Sequence, residues 1–538
     1  MAGWLVALGA GACNRTPATP APQGEVLIVA DTDLTVPRLV NRLRIDVYSA
    51  DGSRWYSSRD VDRSHAGDWP ASFAVVLPDR QADTLALVRL RAYASGFTRD
   101  YRGERYLART MGSQSLAVEA PSTPFASGCP LCPRLVVDNQ DTTPASEPLP
   151  GVTVDRLLAV HLRPGIRGAV RTVLRGACLG TMADLYDVRT CVDTDGVTVD
   201  ENEEPVDGNL GVATPSQLTG SFEAQFAQPC ASAPKAGGNA PDGIPLHDDQ
   251  VCVSGGVFVL GSWDFFGAGV TDDVPQRLAA MPPFVMDKYE VTVGRWRAAV
   301  AAGFHTPDLS PYDNSGPLPA GGPENNLLVC TWSSTPRPPS ERREEYPVSC
   351  TSWVAARAFC RWLGGDLPTE AQWEYAATAA TAGRVKTRYP WGGDDGTLPS
   401  CSRAVFERGS GTATDDGLCG GDGGAFGPLP VTAADYDGGD RTPPLGLDGG
   451  GGFLVDLGGN QAEWTLDARA SLSSECWLGA AVVSPACEAD AGDAGQIVRG
   501  GYWAANYYEV AAALRTPIDG AKWSDETGWR CVYPGAAP

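Results

Sequence analysis

The chain has 538 residues, with 42 lysines and arginines against 65 aspartates and glutamates, and a formal net charge of −23. So acidic a surface repels phosphate backbones and anionic headgroups, which argues against nucleic acid and anionic membrane surfaces as partners. No apolar run reaches the ~20 residues a spanning helix requires, and the length leaves room for about two to four domains with large cores.

Trp4 to Cys13 is a short apolar run closed by small residues and a cysteine. It is similar to the end of a bacterial lipoprotein signal, in which the cysteine is lipidated and becomes the new N-terminus. Residues 1–24 are therefore expected to be signal and tether, with NRTPATPAPQG as the flexible part. Cys13 is the expected lipidation site. The protein is expected outside the cytoplasm, anchored in the bacterial cell envelope and touching the membrane through that lipid alone. Cysteine usage points the same way: setting Cys13 aside from the 15 cysteines leaves an even number, a density that reducing cytosol does not sustain.

Residues 25–110 read as strands, including Leu43–Tyr48 and Leu85–Tyr93, separated by turn signals such as Asp51-Gly52. Short strands at this spacing predict an all-β, sandwich-like domain. Residues 111–150, rich in Pro, Ser and Thr, read as a connector holding a lone Cys129-Pro-Leu-Cys132. A structural disulfide is its expected use, since no second pair at zinc spacing accompanies it. Residues 151–212 are strand-rich at first, then carry Cys178 and Cys191 and an acidic run from Asp193 to Asp207. That run has glycine at the wrong position for an EF-hand loop and reads as a solvated acidic loop. Residues 213–250 are Pro/Ala/Gly-rich and read as a linker, leaving 251–538 as the last domain.

The densest signal in that domain is YPVSCTSWVAARAFCRWLGGDLPTEAQWEY, Tyr346 to Tyr375. Thr351 or Ser352 can cap a helix whose Ala356, Phe359, Cys360 and Leu363 share one face. Gly364-Gly365 can end it, because glycine reaches the left-handed conformation freely. Thr369 and Gln372 have capping-box spacing for a second helix that turns Trp373, Ala376 and Ala377 inward.

These residues resemble the signature of the formylglycine-generating enzyme family, also called sulfatase-modifying factors. Other landmarks follow in order: Gly255–Ser262, Phe284–Thr292, Tyr389-Pro-Trp-Gly392, Gly459-Asn-Gln-Ala-Glu-Trp464, Val498–Trp503 and Gly528-Trp-Arg-Cys531. The resemblance implies an α+β fold, the formylglycine-generating-enzyme variant of the C-type-lectin-like architecture, following the β-rich domain. It also implies a Cys360–Cys531 disulfide, and calcium held near Asn460 and Glu463 with carbonyls of Gly459 and Gln461. The alternative at that turn is a capped loop held by Asn460. For a second family calcium site, Asp422 and Phe426 are the nearest matches.

Catalytic members of the family use a pair of thiolates between the "GGSW" and "GFRC" landmarks, where soft sulfur selects Cu(I) for oxygen chemistry. Here no cysteine occurs between Cys487 and Cys531. Copper is therefore not expected, and no catalytic residue is assigned. His65, His161, His247 and His305 have no partner at metal-ligand spacing and read as solvated surface groups. The landmark tryptophans, Trp362 among them, read as core. Glu370 and Glu374 read as cap and salt-bridge residues, with Arg499 and Arg515 in buried ion pairs. The expected function is a non-catalytic binding or scaffolding module for an envelope protein or glycan. Loops 380–452 and 465–495 would form its variable surface. The alternative is an oxidase of the formylglycine-generating type acting on sulfatase cysteines.

Overall fold

The computed structural model describes residues 24–76, 83–100, 134–185, 187–192, 198–200, 216–231, 233–262, 276–315, 329–335, 337, 342–381, 386–392, 399, 403–408, 427–432, 440–446, 451–472, 474–479, 482–488 and 495–535. Cys13, the Cys129–Cys132 pair, Asp422, Phe426 and much of loop 380–452 lie outside them. Two units are distinguished, Met1–Gln225 with Pro275–Leu278, and Phe226–Val274 with Ala279–Pro538.

Two larger sheets dominate the first unit. Strands β1 (Glu25–Thr32), β2 (Arg42–Ser49), β3 (Trp55–Asp62), β4 (Ala71–Val76) and β5 (Thr84–Tyr93) come from the stretch expected to be all-β. The stretch 151–212, read from sequence as separate, adds β6 (Val154–Leu162) and β7 (Arg167–Leu174). β6 runs antiparallel to β5, and β7 runs parallel to β1. The sheet orders are β7-β1-β4 and β6-β5-β2-β3. A break at residue 110 would therefore leave both sheets short of a strand and expose a ladder edge on each.

Strand alternation puts Ala86, Val88, Leu90 and Ala92 of β5 on one face and Leu87, Arg89 and Arg91 on the other, and all of them are buried. Buried guanidinium groups require partners. Arg89 Nε donates to both Asp155 oxygens, at 2.9 and 3.0 Å. Arg91 donates to Asp46 at 2.6 Å and to Glu147 at 3.1 Å. A disulfide joins Cys178 to Cys191.

In the second unit, β8 (Gln250–Val253), β9 (Phe284–Asp287), helix α1 (Val293–Ala301), helix α2 (Trp353–Trp362) and helix α3 (Glu370–Thr378) precede strands β10 (Ala462–Ala468), β11 (Gln496–Arg499), β12 (Thr516–Ile518), β13 (Thr527–Gly528) and β14 (Val532–Pro534). The larger sheets run β8-β9-β14 and β12-β11-β10-β13. The stretch 213–250, read from sequence as a linker, is tied into this unit from Cys230 onward, by a Cys230–Cys252 disulfide and by Lys235 N donating to Gln250 Oε1.

Local signals set the helix ends. Ser352 Oγ accepts the Ala355 amide, so serine and not Thr351 caps α2. Gly364 follows at φ +84°, the left-handed stop that glycine allows. Thr369 and Gln372 close a reciprocal capping box on α3. Between the helices and the sheets, Trp296 stacks on Phe359 at 5.4 Å, and Trp529 meets both rings edge-on. Cys360 is bonded to Cys531, tying α2 to the segment entering β14 across 171 residues of sequence. Trp362 departs from the core reading: it is 44% exposed, at the end of α2.

Candidate functional site

Strand β10 and the turn before it organise the centre of the second unit. Glu463, one residue into the strand, is fully buried. Arg530 Nε donates to both its oxygens at 2.8 Å, Arg530 Nη2 donates to Oε1 at 2.6 Å, and Trp373 Nε1 donates to Oε2 at 2.7 Å. The carboxylate expected as a calcium ligand is thus already neutralised by a forked arginine pair. Arg530 also donates to the carbonyls of Lys288 and Val455, at 3.0 and 2.7 Å. It therefore clamps three chain segments together.

Asn460 sits at φ +60°, a conformation asparagine tolerates. Its Oδ1 accepts the Leu429 amide at 2.9 Å, and its Nδ2 donates to Glu290 Oε2 at 2.6 Å. The Gln461 amide donates to the other Glu290 oxygen at 2.9 Å. Gly459, at φ +99°, is where a Cβ would collide with the Val405 carbonyl, so only glycine fits.

Sequence reading missed the acidic surroundings of this turn. Glu290, Asp440 and Asp456 are buried beside Glu463, with Arg530 as the cation common to them. Burial pushes the Glu290 and Asp440 carboxyls well above the usual range, and the Asp456 charge raises both further. Burial pushes Asp456 up to about 8, against the pull of Arg530. Neither Asp440 oxygen makes a well-formed hydrogen bond, and Asp456 Oδ2 and both polar atoms of the Gln461 side chain also lack a partner. Orphaned, buried oxygens of this kind are the chemistry a hard cation satisfies. Among the described residues, however, no three His, Cys, Asp or Glu side chains converge closely enough to hold an ion by themselves. Carbonyl donors would have to complete the shell. The sequence signal was available for Glu290, inside the Tyr-Glu-Val-Thr landmark. Asp440 had none, lying in a long Gly/Asp-rich stretch.

The interval to which the resemblance assigns a thiolate pair is here a packed loop. Ala505 and Val510 are both buried. Val510, Ala511 and Ala513 pack with Tyr389, Ala404 and Phe406 in one apolar cluster. The Asn506 amide donates to Glu509 Oε2 at 2.7 Å, and the Tyr507 amide donates to Glu407 Oε1 at 3.2 Å. Behind the loop lies an ionic network. Arg499 donates to Glu370 and Glu374 at 2.7 and 2.8 Å, Arg515 donates to Glu370 at 2.6 Å, and Lys386 donates to Glu374 at 2.6 Å. Every oxygen of both glutamates is consumed by a cation or a backbone amide, which leaves neither poised for acid–base chemistry. No thiol occurs in this loop, so the residues present do not fit a Cu(I) centre.

Of the four histidines, His247 is not the solvated group the sequence suggested. It is 9% exposed, lies 3.2 Å from Glu345, and meets Tyr289 edge-on.

Arrangement and landmark order together define a sulfatase-modifying-factor type of unit. Residues 239–534 match the family of the sulfatase-modifying factor enzyme 1-like domain, and the chain belongs to that family. A formylglycine-generating enzyme of Streptomyces coelicolor is 36% identical over 162 residues, 27% of this chain and 50% of that protein. The matched part of the chain therefore spans half the length of that relative. The formylglycine-generating enzyme of Thermomonospora curvata is 29% identical over 315 residues, 53% of this chain and 92% of that protein. The protein named inactive C-alpha-formylglycine-generating enzyme 2 in Mus musculus is 27% identical over 328 residues, 56% of this chain and 89% of that protein.

Proposed function

We propose that the chain is a non-catalytic member of its family, a binding or scaffolding module at the bacterial cell envelope. One observation carries this: the stretch that would need two thiolates is closed by buried alanine and valine. Likeness to a relative whose name declares it inactive supports the reading. Cu(I) titration of the full chain against a competing chelator tests it. The expected result is no stoichiometric metal uptake that survives competition; tight one-to-one uptake in the second unit would overturn it.

The module's partner is an envelope protein or glycan, met through loops 380–452 and the part of 465–495 that follows β10. A glycan and peptide array probed with the full chain would identify the class. Export and lipidation at Cys13 are part of the same reading, supported by the disulfides joining Cys178–Cys191, Cys230–Cys252, Cys330–Cys350, Cys360–Cys531 and Cys476–Cys487. Mass spectrometry of the mature N-terminal peptide would test it, and an unmodified Cys13 would refute it. The first unit is read as a β-sandwich and the second as a C-type-lectin-like variant. Calcium at the 456–463 turn completes the proposal. Asp456 would supply the carboxylate there, with carbonyls of Gly459 and Gln461, since Arg530 already holds Glu463. Its role is to neutralise buried acid and fix the turn.

A further inference from the structure

A pocket of 220 Å³ opens between α1, α2 and the hairpin before β8, lined by Leu246, Asp248, Arg295, Phe359, Trp362 and Tyr533 among others. It lies wholly within the second unit and uses none of the residues of the 456–463 turn or the 502–515 loop. Its two halves differ in chemistry. One wall is apolar: Phe359 is buried, while Trp362 and Leu363 remain 44% and 36% exposed, unusual for the last turn of a core-facing helix. The other is charged. Arg295 is only 6% exposed, and its Nη1 donates to Asp287 Oδ2 at 2.9 Å. It is also hydrogen-bonded to Tyr533 of the pocket wall; a guanidinium has five N–H donors, and those beyond these two bonds serve the pocket it lines. Lys235 is ion-paired with Asp248, which also accepts the Gly238 amide at 2.6 Å.

We propose that this pocket binds a small zwitterion with a single aromatic ring, an α-amino acid of the phenylalanine type. Its volume falls below the roughly 300–1,000 Å³ of sites for drug-sized ligands, which limits the guest to about one ring and its head group. The forked Arg295, with Lys235 beside it, fits a carboxylate. Asp248, held ionised by Lys235 and the Gly238 amide, fits an ammonium. The ring rests on Phe359 and the exposed indole of Trp362, where aromatic faces meet offset or edge-on.

Calorimetry on the full-length chain tests this with L-phenylalanine, phenylacetate and phenethylamine as probes. L-phenylalanine is expected to bind at submillimolar concentration, and each single-charge analogue at least about tenfold more weakly. Trp362→Ala, at an exposed position, is expected to keep the thermal midpoint and lose at least about tenfold in affinity. Lys235→Met, also exposed, is expected to weaken phenylalanine and phenylacetate but not phenethylamine. Absence of binding by folded wild-type protein at millimolar phenylalanine overturns the proposal. So does unchanged affinity in Trp362→Ala, or phenethylamine binding as tightly as phenylalanine.

Discussion

Replacing Asp456 by asparagine removes an ionisable group from a buried cluster without changing its shape, and asparagine tolerates the φ of +56° at this position. The carboxyl is pushed up to about 8 from an ordinary 3.8. A raised acid of this kind costs no stability below the unfolded value. The cost grows as pH rises between the two values, because the unfolded chain ionises first, and it is complete above the folded value. Four pH units at ~1.4 kcal/mol each set a ceiling on the order of 6 kcal/mol. In chelator, Asp456→Asn is therefore expected to match the wild type near pH 4 and to exceed it by several kcal/mol near pH 8, read from denaturant melts at both values. With millimolar calcium the order should reverse near pH 8, since the ion lowers the wild-type carboxyl and finds no anion in the variant. A variant less stable than wild type at pH 8 in chelator would refute the reasoning. It would mean that Arg530 alone keeps Asp456 ionised at no net cost.

Breaking the Cys360–Cys531 bond as a double serine variant should cost about 5 kcal/mol on the chain-entropy model for a crosslink spanning 171 residues; a thermal midpoint unchanged from wild type would contradict it. Glu463→Gln strands the buried Arg530 guanidinium and should cost about 3–5 kcal/mol, with a sharp loss of near-ultraviolet dichroism as Trp373 loses its acceptor. Ser352→Ala should cost only about 1 kcal/mol, the worth of one helix cap, measurable as a shift in denaturant midpoint.

The second unit was legible in the sequence where chemistry is local. A serine or threonine before an apolar stripe, glycine pairs after it, and Thr369 with Gln372 each act within one helical turn, and the structure resolves them as caps and stops. The first unit was legible only as strands. That β6 and β7 complete sheets begun more than a hundred residues earlier is a long-range pairing, and alternation within a strand carries no record of its neighbour. The acidic cluster was hidden for a related reason: Glu290 is distant in the chain from Asp440 and Asp456, and burial alone makes them unusual. Trp362 and His247 were misread in opposite directions. An indole was assigned to the core from its landmark, and an imidazole to the surface from its isolation, yet exposure depends on packing across the fold.

The most direct test of the central claim is conversion of a sulfatase-type cysteine peptide by the purified full chain, supplied with copper, reductant and oxygen, and read by mass spectrometry and an aldehyde-trapping probe. The loop of Ala505 and Val510 leads us to expect the peptide back unchanged at every time point. Catalytic appearance of the aldehyde would contradict the account.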